Sequence, residues 1–91
     1  MDIRKLFGLN LRRLRFAAGL SQEALGARMG IDRANVGAME RGAMNITLLT
    51  LWQACQALGC EPGEFFDKEG ARLASTLPAA AKVPRRKRTK L

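Results

Sequence analysis

The chain has 91 residues, enough for one small domain. It contains no histidine and no tyrosine, which removes the most common general acid-base residue and metal ligand, so we predict neither catalysis nor a bound cofactor. The formal net charge of +8 is concentrated at the two chain ends, a distribution that suits either a polyanionic partner or a solvated surface with a basic tail.

Two further classes of protein are excluded by the apolar and cysteine content. No apolar run approaches the roughly 20 residues of a membrane-spanning helix, and basic residues interrupt the N-terminus too often for a signal peptide. Cys55 and Cys60 are the only cysteines, which is too few soft ligands for a zinc site. We therefore predict no metal, and we treat Cys55 as a small buried hydrophobe in a reducing cytoplasm.

The first two helices are predicted from apolar spacing and from glycine stops. Apolar residues at i, i+4, i+7 and i+11 form one face of the first helix; they are Phe7, Leu11, Leu14 and Ala18. Gly19 ends this helix. Ser21 then caps a second helix, residues 22–29, whose core side carries Leu25 and Met29.

The third and fourth helices are predicted from their cap residues. Asp32 is the N-cap expected for a third helix over residues 33–41. Thr47 caps a fourth helix over residues 48–58. The side chains expected to point inward from the fourth helix are Leu48, Leu51, Cys55 and Leu58.

The C-terminal third is divided between the end of the domain and a tail. Pro62 begins a short fifth helix, because proline fits the first helical position, and Phe65 and Phe66 are its apolar residues. Farther on, the sequence predicts at most one more turn of helix before two prolines and a run of basic residues. We therefore predict an all-α domain over residues 1–69 and a disordered basic tail over residues 70–91.

The second and third helices form the most informative pair. They are joined by a turn of three to four residues around Gly30, which describes a helix-turn-helix. Gly26 lies where the second helix must approach the third closely, and Gly30 is placed where a positive φ is needed. Val36 and Met39 are expected to hold the third helix against the second.

Five short motifs carry a resemblance to a known family; they are GLSQ at 19–22, the glycine turn at 30, MERG at 39–42, NITL at 45–48 and ALG at 57–59. With these motifs, residues 7–66, about two thirds of the chain, resemble the Cro/phage-repressor type of helix-turn-helix domain, the XRE family. These motifs are most similar to those of the small controller proteins of restriction–modification systems and of related regulators of mobile elements. This resemblance implies a compact, five-helix, lambda-repressor-like fold.

The resemblance also implies a set of DNA-contacting residues; they are Gln22, Arg33, Ala34, Asn35, Gly37, Ala38, Arg41 and Asn45. In the family, the glutamine matching Gln22 hydrogen-bonds a DNA phosphate. The third helix enters the major groove with its N-terminus first, so Arg33 is expected to pair with a guanine. Asn35 reaches either a base or a neighbouring phosphate. Gly37 and Ala38 are expected to let the helix backbone come close to DNA.

Four further residues are given structural or assembly roles by the resemblance. Arg15 and Glu40 match a partly buried salt bridge between the first and third helices. Family members of this size act as twofold dimers, and we assign Phe65 and Phe66 to the dimer contact, with Phe65 mostly in the core and Phe66 nearer the interface. Arg13 is left open, as either a solvated charge or a side chain that reaches a phosphate.

The predicted function is that of a bacterial, cytoplasmic, non-enzymatic transcription regulator acting on DNA of the nucleoid. It is expected to bind a (pseudo)palindromic operator in double-stranded DNA as a homodimer. The promoter of its own gene is a candidate operator, and RNA polymerase is a candidate partner. No small-molecule substrate is expected. The basic tail is expected to add nonspecific DNA affinity. Two alternatives remain, an antitoxin and a protein-interaction antiactivator that retains the fold; the sparse third helix favours the second.

Overall fold

The computed structural model describes residues 1–77, which form five α-helices and one 3-10 helix and contain no strand. The elements are α1 (Ile3–Ala17), α2 (Gln22–Met29), α3 (Arg33–Glu40), α4 (Leu48–Leu58), the 3-10 helix (Pro62–Phe66) and α5 (Lys68–Ala74). The predicted all-α, five-helix fold is confirmed. The basic run from residue 78 onward lies outside the described residues, and so does the prediction of its disorder.

Three of the predicted N-caps occupy their expected places, but only two of them make a cap hydrogen bond. Ser21 accepts from the backbone N–H of Ala24, and Thr47 accepts from the backbone N–H of Thr50. Each bond satisfies an amide that the helix itself leaves unpaired. Asp32 has the extended backbone of a cap at the start of α3, yet its side chain makes no cap hydrogen bond.

The turn between α2 and α3 has the geometry that the glycine spacing predicts. Gly30 adopts a left-handed conformation with φ of 74°, which glycine tolerates without steric cost. At Gly26, an added Cβ would lie 2.6 Å from the carbonyl oxygen of Ile31, so a side chain there would collide with the turn. Val36 and Met39 are buried and hold α3 against the rest of the domain.

One apolar core connects α1 to α4 and the 3-10 helix; its buried members are Phe7, Leu11, Leu25, Met29, Val36, Met39, Ala54, Cys55 and Phe65. The rings of Phe7 and Phe65 stack with their centroids 4.9 Å apart. Leu48 differs from its prediction, because it is 82 % exposed. As the first residue of α4, it projects past the edge of the core.

The C-terminal end of the domain lies farther along the chain than the sequence predicts. The helix expected at Pro62 is a 3-10 helix, and a full α-helix, α5, follows it and packs against α1. Ala71 and Ala74 are buried, and an added Cβ at Gly70 would lie 2.5 Å from the Arg13 guanidinium nitrogen Nε. The boundary expected between residues 69 and 70 therefore falls inside α5, and the helical structure continues beyond it.

A buried asparagine fastens the C-terminal elements to α1. The Asn10 side-chain amide donates to the backbone carbonyls of Phe65 (3.0 Å) and Asp67 (2.9 Å). Its oxygen accepts from Nε of Arg13 at 3.0 Å, and a second nitrogen of Arg13 donates to the carbonyl of Glu64 at 3.1 Å. We refer to Asn10 and Arg13 with these acceptors as the α1 clasp. Arg13 is thus engaged within the domain through two of its three guanidinium nitrogens.

Candidate nucleic-acid interface

The N-terminal turn of α3 carries three exposed side chains of the predicted DNA-contacting set. Arg33, Ala34 and Asn35 are all exposed, while Val36 behind them is fully buried. Neither Arg33 nor Asn35 makes a side-chain hydrogen bond within residues 1–77. The donors of this turn are therefore available to a partner outside the domain.

Behind this turn, a buried ion pair joins α1 to α3. Arg15 donates to Glu40 through two nitrogens, Nε to Oε2 at 2.5 Å and Nη2 to Oε1 at 3.1 Å, and both side chains are almost completely buried. Arg15 also donates to the carbonyl of Leu20 at 2.8 Å. Such a bidentate pair fixes the rotation of α3 relative to α1.

Gln22, at the start of α2, is connected to the same ion pair. Its side-chain nitrogen donates to Oε1 of Glu40 at 3.1 Å, which leaves one N–H of the amide for another acceptor. Gln22 is half-buried. The residue predicted to contact a phosphate is therefore held in place by the carboxylate that holds Arg15.

The two small residues in the middle of α3 differ in exposure. Ala38 is half-buried and retains some open surface, whereas Gly37 is buried. The side chains of Gln22 and Arg41 cover Gly37, since a Cβ added there would lie 3.6 Å from the Gln22 amide and 3.3 Å from Nη1 of Arg41. In the structure these two side chains lie over Gly37, and the close approach of DNA to the backbone there stays a prediction.

The remaining predicted contacts lie at the C-terminal end of α3 and after it. Arg41 is the exposed C-cap residue of α3. Asn45 is also exposed, but it lies in the connection to α4 and lines a groove beside the start of α1. Lys5 was missed by the sequence analysis: its side chain lies over Gly42, which brings another basic residue to the end of α3. No local signal in the sequence indicates this contact between α1 and α3.

An apolar groove of about 280 Å³ lies between α1, α4 and the 3-10 helix. Three exposed apolar side chains line it: Ile3 (59 % exposed), Leu48 (82 %) and Phe66 (41 %). The term apolar groove is used below for this groove together with these three side chains. Phe65, which the sequence places mostly in the core but also assigns with Phe66 to the dimer contact, has no exposed surface and belongs to the core.

Other kinds of site find little support in residues 1–77. No three histidine, cysteine, aspartate or glutamate residues there group closely enough to hold a metal ion. Burial raises the pKa of both cysteine thiols, that of Cys60 to about 11, so neither is an activated nucleophile. Of the helices in this part of the chain, none combines the length and the apolar character needed to span a bilayer.

Comparison with known proteins agrees with this geometry. The family model described as helix-turn-helix (HTH_3) matches residues 11–65, which include α2, α3 and their turn. The chain belongs to this helix-turn-helix family. The predicted family is therefore confirmed, and with it the class of DNA-binding transcription regulators rather than enzymes.

Relatives in this family include regulators of bacterial origin. An uncharacterised HTH-type transcriptional regulator, y4dJ of Sinorhizobium fredii, is 48 % identical over 59 residues, covering 65 % of this chain and 77 % of that protein. Control protein C.SmaI of Serratia marcescens is 33 % identical over 72 residues, covering 79 % and 86 %. The solved structure of the restriction–modification controller protein C.AhdI from Aeromonas hydrophila is similar with a TM-score of 0.67 at 46 % identity, covering 69 % of this chain and 91 % of that one.

Proposed function

We propose that this chain is a homodimeric regulator that binds a twofold-symmetric operator in double-stranded DNA. The observation that supports this most directly is the exposed N-terminal turn of α3. Its Arg33 and Asn35 make no side-chain hydrogen bond within residues 1–77, while the opposite side of the helix is fixed by buried contacts. In a helix-turn-helix, this is the turn that enters the major groove.

The reading of bases would be divided between few side chains. Arg33 has the geometry to donate two hydrogen bonds to one guanine, and Asn35 is placed to reach an adenine or a nearby phosphate. Ala34 and Ala38 offer methyl groups that can contact a thymine methyl. Because α3 has so few long polar side chains, the shape and flexibility of the operator would supply part of the specificity.

The apolar groove supports the homodimer. Leu48 and Phe66 line it with exposed apolar side chains, and Leu49 and Trp52 are further exposed apolar residues of α4. A second copy of the chain would cover this surface through an isologous contact. Two copies of α3 would then meet the operator about one helical turn apart, roughly 34 Å.

The relatives suggest where such a regulator acts. C.SmaI is a control protein and C.AhdI is a restriction–modification controller protein. By analogy, we propose a role in the cytoplasm at a promoter, including that of the chain's own gene. Occupying the polymerase site would repress transcription, and contacting RNA polymerase from a neighbouring site would activate it.

Operator binding can be tested with the DNA upstream of the chain's own gene. A labelled duplex of this region should be shifted at a lower protein concentration than a duplex of the same composition with shuffled sequence. Equal affinity for the two duplexes would contradict an operator there. An antiactivator that has lost DNA binding would shift neither duplex.

The dimer can be tested with a matched pair of leucine substitutions. Leu48 lines the apolar groove, whereas Leu73 lies on α5 with 51 % of its surface exposed, so neither change to glutamate disturbs the core. Light scattering should give the mass of two chains for the parent and for Leu73→Glu, and the mass of one chain for Leu48→Glu. A dimer that survives Leu48→Glu and dissociates in Leu73→Glu would move the interface to α5.

A further inference from the structure

Gly37 is the least expected residue of α3, because glycine is the poorest helix former apart from proline. It lies in the middle of an eight-residue helix on the side assigned to DNA. Although it has no side chain, it is buried. The atoms that cover it belong to Gln22 and Arg41, at 3.6 Å and 3.3 Å from the position of an added Cβ.

The two covering side chains come from different elements of the helix-turn-helix. Gln22 comes from the start of α2, with its amide held by the Glu40 carboxylate at 3.1 Å. Arg41 comes from the end of α3. Because side chains of a helix lean toward its N-terminus, a residue lies over the one four positions earlier, and for Arg41 that residue is Gly37.

The donors that meet above Gly37 are not consumed by the domain. The Gln22 amide retains one N–H after its bond to Glu40. Arg41 makes no side-chain hydrogen bond and no ion pair within residues 1–77, and it is exposed. An amide N–H and a guanidinium at one place match the several acceptor oxygens of a single phosphate group.

We propose that Gly37 is a positioning residue of a phosphate clamp formed by Gln22 and Arg41. Its missing side chain lets the Arg41 guanidinium lie close to the helix beside the Gln22 amide, so that both bind the same phosphate of the DNA backbone. This inference rests on the proposed DNA-binding function and deepens it. The glycine then serves the position of the two side chains above it, and direct contact between DNA and the helix backbone has no part in it.

The phosphate clamp can be distinguished from a direct approach of DNA to the backbone of Gly37. An alanine methyl at position 37 would press on Nη1 of Arg41 and push the guanidinium away from the phosphate. Substitution of Gly37 and substitution of Arg41 would then remove the same interaction. In a double-mutant cycle, their effects on affinity would fail to add.

The experiment measures equilibrium binding to two labelled duplexes, the upstream region of the chain's own gene and a random sequence. The variants are Gly37→Ala, Arg41→Gln and the combination. The control is Gly63→Ala, because an added Cβ at Gly63 meets nothing within 4 Å. Arg41→Gln should weaken binding to both duplexes by about tenfold or more, as expected for loss of a charged hydrogen bond. Gly37→Ala should weaken both by a smaller factor, because its methyl group displaces the guanidinium without removing it. The combination should be no weaker than the weaker single variant.

Salt dependence provides a second reading that a merely structural glycine would not change. Loss of one phosphate contact lowers the slope of log affinity against log salt by about 1. Gly37→Ala removes no charge, so a shallower slope in this variant means that Arg41 has left its phosphate. The melting temperature of Gly37→Ala should not fall, since alanine is the better helix former.

The outcomes separate the clamp from the function on which it rests. Binding of the parent to neither duplex would overturn both. If the parent binds and the effects of Gly37→Ala and Arg41→Gln multiply, the clamp alone is overturned, and Gly37 serves direct approach of DNA. Unchanged affinity in Gly37→Ala would overturn the clamp as well.

Discussion

The polar residues of α1 and α3 are used in opposite ways. On α1, Asn10, Arg13 and Arg15 give their hydrogen-bond donors to partners inside the domain. On the outer side of α3, Arg33 and Asn35 make no side-chain hydrogen bond within residues 1–77. Both helices contain arginine and asparagine, so the residue types alone do not distinguish the two uses.

The difference shows that the location of its acceptor determines the role of a polar side chain. A donor with an acceptor inside the domain contributes to folding, and a donor without one is available for binding. A buried donor that loses its acceptor costs free energy, so the α1 residues contribute to stability. An exposed donor keeps its water until a ligand replaces it, so the α3 residues contribute little to stability and can be used for recognition. Substitutions in the two helices should therefore change different measured quantities.

The largest effect is expected for Arg15→Ala. Removing this side chain leaves Glu40 buried without its countercharge and frees the carbonyl of Leu20. Loss of one partner of a buried pair typically lowers the free energy of unfolding by about 3–5 kcal/mol. Urea denaturation followed by circular dichroism measures this change.

Arg33→Ala is the matched control for that experiment. It also removes one arginine, but from an exposed position, and its unfolding free energy should stay within about 0.5 kcal/mol of the parent. Equal destabilisation by Arg15→Ala and Arg33→Ala would contradict the division between the two helices.

A smaller loss of stability is expected for Asn10→Ala. The substitution leaves the carbonyl of Phe65 and Nε of Arg13 without these partners, at a cost of about 1–3 kcal/mol in unfolding free energy. The carbonyl of Asp67 loses one of its two hydrogen bonds and keeps the one from the backbone N–H of Ala71. Amide hydrogen exchange should accelerate first in α5, which the α1 clasp holds. Asn45→Ala, an exposed asparagine, should change neither quantity. Uniform acceleration throughout the domain would mean that the clasp does not act locally.

At α3, the expected change is in DNA affinity. Arg33→Ala should weaken operator binding by about 1–3 kcal/mol and binding to random DNA by less, because a base contact is lost. Arg28→Ala is the control for charge, since Arg28 donates to the carbonyl of Ala57 at the end of α4. Equal losses at operator and random DNA in Arg33→Ala would reduce its role to a phosphate contact.

Much of the fold could be predicted because its signals are local. Cap residues and glycine stops lie within a few positions of the helix ends they define, and they placed α2, α3 and α4 to within one residue. The fifth α-helix escaped prediction because its buried residues are Gly70, Ala71 and Ala74. Small residues pack by letting a neighbour come close and produce no apolar periodicity. The neighbour, Arg13, is far away in the sequence.

The site could be predicted only as a set of residues. The sequence indicates which residues of α3 are polar and small, and the family resemblance adds their order along the groove. The sequence contains no information that Gln22 and Arg41 cover Gly37, since this depends on how α2 and α3 cross. The exposure of Leu48 could not be predicted from the sequence either. Its apolar character predicts burial, but it lies outside the core.

The α1 clasp links residues separated by 55 and 57 positions, and this has a consequence for synthesis of the chain. On the ribosome α1 emerges early, but it gains its last partners only after α5 has followed. Domains generally fold as units during synthesis, so the helix-turn-helix would reach full stability late. Truncated translation products lacking α5 would expose the apolar surface of α1 to chaperones and proteases.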